Sequence, residues 1–424
     1  MRVPVPLTLA FGEEFEKLIS QFSADQKLLS SAEEIHSTRF LSRSVVPHVQ
    51  KLSTLFNRID PEAKATGAAK AVAQADGLDP YWKESANPAN LRLAYFLYFM
   101  PPNLYRMASV WAELARLGFK WPSSEKQLRA VEFGAGPASG ACGIAAGEKY
   151  APVGLPSEGN WALIEQDKKM LELGGRWAKT YFESSGFAAW DVREFKRRIE
   201  LDQPTLLPPK APKFNLFTMS FFLNEFQEPE SKLADRLLAT WRDHLTDEGI
   251  AILIEPALKL QSRRLLALRR EILAQSAGSD IQLLLPCLGH QDCGALAAEG
   301  DWCHEEVSWW RPPYFKTIDQ MANLDRKTLP FSYLVFVKSR RPREEILTAL
   351  EPGATRERLV SPAHAEGKEQ EFFICGQEGK RRARWRPPEG PKGEDALERG
   401  DVLEGAQIRG DRNSARIGSV KTRR

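Results

Sequence analysis

The chain has 424 residues, of which 42% are hydrophobic and 27% charged, and a net charge of only +3. That length exceeds what one core usually supports and predicts two or three domains. No run approaches the roughly 18 consecutive apolar residues of a membrane span, so no membrane partner is expected. The opening stretch MRVPVPLTLAFGEEFEK carries one arginine beside an early acidic cluster. It predicts neither a secretory nor a mitochondrial leader. A monomer in the cytoplasm is expected, or in the mitochondrial matrix for a eukaryotic source.

Residues 1–120 read as a helical N-terminal domain. Apolar residues recur at helical spacing in Phe15, Leu18, Ile19 and Phe22, and again from Leu93 to Leu117. Pro101 and Pro102 interrupt the second run, because proline lacks an amide donor and restricts its predecessor, and two helices are expected to meet there. Gly67 to Pro88 reads as a short helix with loops.

From Leu128 the pattern changes to short apolar runs, RAVEFGAG, WALIEQD, FNLFTMS and GIAILIEP, separated by amphipathic stretches that include a helix at Arg263–Leu273. This alternation predicts an α/β domain over 121–340 with a doubly wound, Rossmann-like sheet. The strand FSYLVFVKS at 331–339 resumes after a cysteine-rich insertion at 281–315. Residues 341–424 read as a small β module, with RLV and EFFIC as strands, followed by a basic tail of low order. From residue 380 onward the chain holds 13 Lys and Arg against 7 Asp and Glu. A polyanionic partner would suit that excess, with the run RRARWRP at 381–387 offering arginines to phosphates and Trp385 to a base.

In VEFGAGPASG, Gly134 and Gly136 follow a strand ending near Glu132, and a helix should open at Ser139 or Gly140. Glycines there let the backbone turn sharply and approach a ligand. Glu165, closing the next strand, is placed to accept hydrogen bonds from ribose hydroxyls. Pro137 and Ala138 stand where a pyrophosphate-binding loop would continue, which favours S-adenosylmethionine over a nicotinamide. The segment SFFLNEF offers Asn224 and Glu225 to a ligand or acceptor, or equally as a helix cap. No catalytic residue is identified.

Cys287, Cys293 and Cys303 have the spacing Cys-x5-Cys-x9-Cys, and Cys375 follows 72 residues later. In a reducing compartment such a set points to metal rather than disulfides. The short knuckle of structural zinc sites is missing, and an iron-sulfur cluster accommodates wide spacing better. Zinc, with His290 or His304 replacing a thiol, is one alternative, and burial as small hydrophobes is another. Cys142, on the helix after the glycine loop, is expected in the core.

Taken in order, LAYFLYFMPPNLYRMASVWAEL, VEFGAGPASG, SFFLNEF, GIAILIEP, the PC-x5-C and WC pair, LPFSYLVF and ICGQEG resemble the methyltransferase-like assembly factors of the mitochondrial small ribosomal subunit and their bacterial relatives. The resemblance covers most of the chain. It implies a class I methyltransferase-like fold that binds S-adenosylmethionine through Glu132, Gly134, Gly136, Glu165 and Asn224. It also implies a four-iron four-sulfur (4Fe-4S) cluster on Cys287, Cys293, Cys303 and Cys375, and association with small-subunit ribosomal RNA or its precursor. Ala138 departs from the glycine pattern, and its methyl group is expected to crowd the ligand. The expected function is small-subunit maturation. An active rRNA methyltransferase, and a redox- or iron-sensing RNA-binding protein with a vestigial donor pocket, are the alternatives.

Overall fold

The computed structural model describes residues 12–57, 87–200, 203–226, 228–289, 292–390, 392–393, 396–406, 408–409, 415–418 and 421–423. The reading of Gly67 to Pro88 lies almost wholly outside these residues. Helix α1 (Glu13–Asp25) buries Phe15, Ile19 and Phe22 on one face, setting Phe22 5.1 Å from the Trp177 ring. A second helical run begins at Thr38 and passes through a π turn at Leu41–Val45 into α2 (Val46–Asn57).

The proline pair does not separate two helices. Helix α3 (Pro88–Ala94), capped by the Asn87 side chain, continues through a π turn (Tyr95–Phe99) into α4 (Met100–Arg116). Proline at 101 removes the amide that would have bonded to the Leu97 carbonyl four residues earlier. The Tyr314 hydroxyl donates to that carbonyl instead, at 3.1 Å, and the wider π turn accommodates the rings.

Strands β1 (Leu128–Phe133), β2 (Gly159–Glu165), β3 (Trp190–Lys196), β4 (Phe214–Ser220) and β5 (Leu245–Pro256) are parallel. Helix α5 (Ser139–Tyr150) joins β1 to β2, α6 (Lys168–Ser185) joins β2 to β3, α7 (Glu230–His244) joins β4 to β5, and α8 (Lys259–Gln275) follows β5, while among the described residues no helix lies between β3 and β4. Strands β6 (Ile281–Leu285) and β7 (Glu305–Ser308) both pair antiparallel with β8 (Thr328–Lys338), and α9 (Pro313–Ala322) lies between β7 and β8. Since β8 also pairs antiparallel with β5, the sheet order is β3-β2-β1-β4-β5-β8-β6. This is a mixed, doubly wound, methyltransferase-like sheet. Residues 281–285, expected at the start of the insertion, are its edge strand. Strand β3 was not singled out from the sequence, because an edge strand with alternating exposure lacks a continuous apolar run.

Residue alternation on the central strands feeds two cores. Ile250, Ile252 and Ile254 of β5 face the core shared with the N-terminal helices, whereas Ala251 and Leu253 face the opposite one. Phe15, Phe96, Leu104 and Trp111 share that first core with Leu128, Trp161 and Trp177. Residue 120 therefore marks a change of element type within one continuous core.

Beyond a short helix at Arg343–Ile346, strands β9 (Arg356–Leu359), β10 (His364–Glu366), β11 (Glu369–Gly376), β12 (Gly379–Trp385), β13 (Val402–Glu404), β14 (Ile408–Arg409), β15 (Ala415–Ile417) and β16 (Lys421–Arg423) form a second sheet. Its order is β14-β15-β12-β11-β9-β13-β16, with β10 on β11. The described part of the basic tail is thus built into a folded module. Its core holds Phe372, Ile374, Ala383 and Trp385.

The module docks through buried Arg358. Its guanidinium Nη2 donates to Glu113 at 2.8 Å, and Glu305 and the Tyr333 hydroxyl lie 3.4 Å away. Burial alone would raise the Glu113 carboxyl, but Arg116 and Arg358 hold it down to about 2.

Helix α5 meets α4 at close range because Gly143 and Gly147 present no side chain. A Cβ at 143 would stand 2.6 Å from both the Leu104 carbonyl oxygen and Met107 Cβ. Gly143→Ala should therefore destabilise the protein by about 1–3 kcal/mol through overpacking, against a helix-propensity gain of roughly 1 kcal/mol. Urea unfolding monitored by tryptophan fluorescence checks the sign.

Candidate functional site

The strand order reverses between β1 and β4, and ligands of open α/β sheets bind outside the carboxyl ends of the strands at such a point. The glycine loop lies there. Gly134, Gly136 and Ala138 all have positive φ, at +59°, +49° and +58°, so the chain leaves β1 in a left-handed conformation and enters α5 at Ser139. A Cβ at Gly134 would stand 2.6 Å from the Phe222 ring. Ala138 is fully buried among core residues, so its methyl group does not crowd the cleft as expected.

Glu165 Oε2 accepts from the Gly136 amide at 3.0 Å, and Oε1 accepts from the amides of Gln166 and Asp167 at 2.8 and 2.9 Å. The carboxylate is thus oriented by the loop it serves, and burial raises its pKa while these donors oppose the rise. Glu132 is more deeply placed. Its two oxygens accept from the Gly140 and Ala141 amides, both at 2.8 Å, which anchors the N-terminal turn of α5. Desolvation pushes it up to about 8.

Beyond β4 the short turn Leu223–Glu225 carries Asn224, whose amide donates to Glu255 Oε2 at 2.7 Å. Glu255 Oε1 also accepts from the Leu223 amide, at 2.8 Å. Asn224 is therefore held by a buried carboxylate on β5 in the present geometry. Glu225 is exposed. Desolvation beside the cleft, followed by the charges of Glu165 and Glu255, acts to raise its carboxyl, an effect that its exposure to water weakens, and burial brings Glu255 to about 7.

Three cleft residues were not legible in the sequence, since they come from the helical region. Arg92 of α3 forms a two-pronged pair with Asp167, at 2.9 and 2.7 Å, and Asp167 also caps α6 through the Met170 amide. Tyr95 sits in the π turn and feels Glu225, Glu165 and Glu132. Arg106 donates to Asn103 at 2.7 Å and lies over the Phe221 ring, while burial and Arg326 lower it to about 9. A π turn beside a cleft is a frequent functional marker, but its position depends on packing that the amino-acid pattern does not reveal.

The other site lies where the cysteine segment meets the β module. Cys287, Cys293, Cys303 and Cys375 all line one cavity of about 820 Å³ counted to its open mouth. Cys287 follows β6, Cys293 and Cys303 lie in the loop before β7, and Cys375 arrives on β11. Burial, followed by repulsion from Cys287 and Cys293, pushes the Cys375 thiol up to about 12, and burial also raises Cys293 and Cys303. No disulfide joins them. Among the described residues no three His, Cys, Asp or Glu side chains converge closely enough to hold a single metal ion. His304 lines the same cavity with its Nδ1 unpartnered, whereas His290 lies outside the described residues. Cys142 is fully buried in the core.

The basic run is committed within its own module. Arg381 pairs with Glu357 and Glu378, Arg382 with Glu371, and Arg384 with Glu366 and Glu371. Trp385 is 8% exposed and packs in the module core. The expected stacking role for Trp385 is thereby overturned, because cross-strand neighbours enclose its ring.

A family model described as mitochondrial small ribosomal subunit Rsm22 matches residues 92–385. Among solved structures, the chain is similar to an O-methyltransferase from Bacillus cereus in complex with SAH, at 11% identity. That match covers 56% of this chain and 90% of the other, with a TM-score of 0.26. The mitomycin 7-O-methyltransferase MmcR is similar at 16% identity over 55% of this chain and 64% of its own, with a TM-score of 0.32. No curated protein matches the chain.

The raised carboxyls make stability depend on pH. The buried Glu132 and Glu255 lie above their ordinary 4.5 in the fold, at about 8 and about 7, so the fold prefers them protonated. Their contribution is fully present below pH 4.5 and is lost as pH rises through 7 to 8. The melting temperature of the ligand-free protein should fall between pH 4.5 and 8, and Glu255→Gln should flatten the fall. Thermal denaturation across a pH series checks this.

Proposed function

The chain belongs to the mitochondrial small ribosomal subunit Rsm22 family, and from that premise we propose that it acts in small-subunit maturation. In this reading it binds ribosomal RNA, takes up S-adenosylmethionine at the glycine loop and holds a four-iron four-sulfur cluster in the cysteine cavity. The observation that carries the reading is the meeting of Cys287, Cys293, Cys303 and Cys375, drawn from two domains, on one cavity.

Four thiolates spread around a cavity suit a polynuclear group. A tetrahedral zinc ion with bonds of about 2.3 Å would draw its sulfurs to within roughly 4 Å of one another. The cluster would supply covalent links between the sheet and the β module. This chain's own part is to present the four sulfurs from elements already packed together and to shield them from solvent. Zinc with His304 as a ligand is the competing occupant, and sulfide content separates the two.

At the glycine loop, Gly134 and Gly136 would let the backbone approach the nucleoside, and Glu165 would accept from its ribose hydroxyls. Glu132 would act through the start of α5, and Asn224 would exchange its bond to Glu255 for the ligand's amino-acid end. When bound, S-adenosylmethionine supplies an electrophilic methyl group. The carboxylates around the cleft suit its sulfonium and ammonium charges. The chain would hold and orient the ligand, and no side chain is assigned to methyl transfer itself.

Two measurements test these assignments. Protein purified anaerobically should contain about four irons and four sulfides per chain, and Cys375→Ser should lose both; stoichiometric zinc without sulfide would overturn the cluster. Calorimetry should detect S-adenosylmethionine, with Glu165→Ala weakening it by about 1–3 kcal/mol and binding strengthening as pH rises through the carboxyl range. Equal affinity in wild type and variant would show that the ligand sits elsewhere.

A further inference from the structure

The cysteine cavity is ringed by buried cations as well as by thiols. Arg269, on α8, is 2% exposed and lines the cavity. Its Nη2 donates to the Gly289 carbonyl at 3.1 Å, two residues beyond Cys287. Cys293 and Cys375 both feel its charge. Arg343, 7% exposed, donates to the Leu283 carbonyl at 2.6 Å and feels Cys287. Among the described residues Arg343 makes no ion pair. Arg358 also lines the cavity, with Nη1 unpartnered and Nη2 turned to Glu113 and Glu305. Lys380, at the mouth, is neutralised by Asp301 at 2.7 Å.

Guanidinium groups removed from water are costly unless an opposite charge accompanies them. The carboxylates facing the cavity are Asp292 and Glu305, and Arg358 already engages Glu305. The lining thus sets the Arg269 and Arg358 guanidinium groups beside the four thiols. A cluster held by four thiolates has net negative charge, and nearby charge and hydrogen bonds set its reduction potential.

We infer that Arg269 is the positioning and charge-setting residue of this centre, holding the chain just beyond Cys287 through Gly289 and stabilising the reduced form of the bound group. The inference rests on the cluster reading above. Without Arg269, that segment loses its tie to α8, and added negative charge on the cluster is less well compensated.

The experiment uses the full chain purified anaerobically, with iron and sulfide measured first and the midpoint potential then taken by dithionite titration under electron paramagnetic resonance. Wild type is compared with Arg269→Lys, Arg269→Gln and Arg269→Met. With the cluster retained, the Gln and Met variants should shift the reduction equilibrium at least about tenfold toward the oxidised form, or 59 mV for one electron. Lys, which keeps the charge, should stay within about twofold of wild type. Should Met fail to load, Gln still reports on charge because it retains a donor for the Gly289 carbonyl. An unchanged potential in a fully loaded Gln or Met variant overturns the inference, as does loss of iron from Lys as complete as from Met. Wild-type protein without sulfide would instead sink the cluster reading on which it rests.

Discussion

The β module is fixed on the rest of the chain by one buried ion pair, Arg358 with Glu113, set beside Val402 in the shared core and the Lys380–Asp301 pair. Arg358 comes from the first strand of the β module and Glu113 from the last turns of α4, with Glu305 and Tyr333 contributed by β7 and β8. A charge pair removed from water is stable only when its geometry and additional hydrogen bonds are good. Here Arg116 supplies the second cation on Glu113 and also donates to the Gly400 carbonyl at 3.2 Å, bringing a second segment of the module into the same junction. The network therefore sets the module's orientation, and that orientation carries Cys375 to the other three cysteines.

The same logic governs the glycine loop from the opposite side. Helices α3 and α4 and the π turn between them share a core with the sheet, which holds Arg92 on Asp167, Tyr95 near Glu165 and Glu225, and Arg106 over Phe221. The Arg92–Asp167 pair links α3 to α6, whose Gly174 backs the loop so closely that a Cβ there would lie 2.4 Å from the Gly136 carbonyl oxygen. Both candidate sites are thus formed between elements distant in sequence and close in the fold. Helix α8 runs beside both of them, with Leu265 and Arg269 facing the cysteines and Arg264 reaching the segment after β4.

Much of the sheet was legible because its central strands are buried on both faces and read as continuous apolar runs. VEF, WALIE, FNLFTM and IAILIE could be recognised that way. Glycines with positive φ made the loop after β1 recognisable, and the start of α5 at Ser139 follows the expected position. Edge strand β3 was harder, since exposure mixes polar residues into the run, while β6 is a short apolar run that leads directly into the cysteine segment. The proline pair misled for a physical reason: a missing amide ends a helix only when no wider turn and no external donor satisfies the freed carbonyl, and Tyr314 lies more than two hundred residues away.

By itself the sequence determined the elements whose signals are local: the apolar period of each central strand, the glycines that permit a left-handed turn, the carboxylate closing β2 and the chemical identity of four thiols. Tertiary structure alone decided which charges remain available. The arginines of RRARWRP read as free cations along the chain, yet neighbouring glutamates neutralise most of them, whereas Arg269 and Arg358 read as ordinary helix and strand residues and line the cysteine cavity. Charge and burial are properties of neighbours, and neighbours across a sheet or between domains are set by the fold.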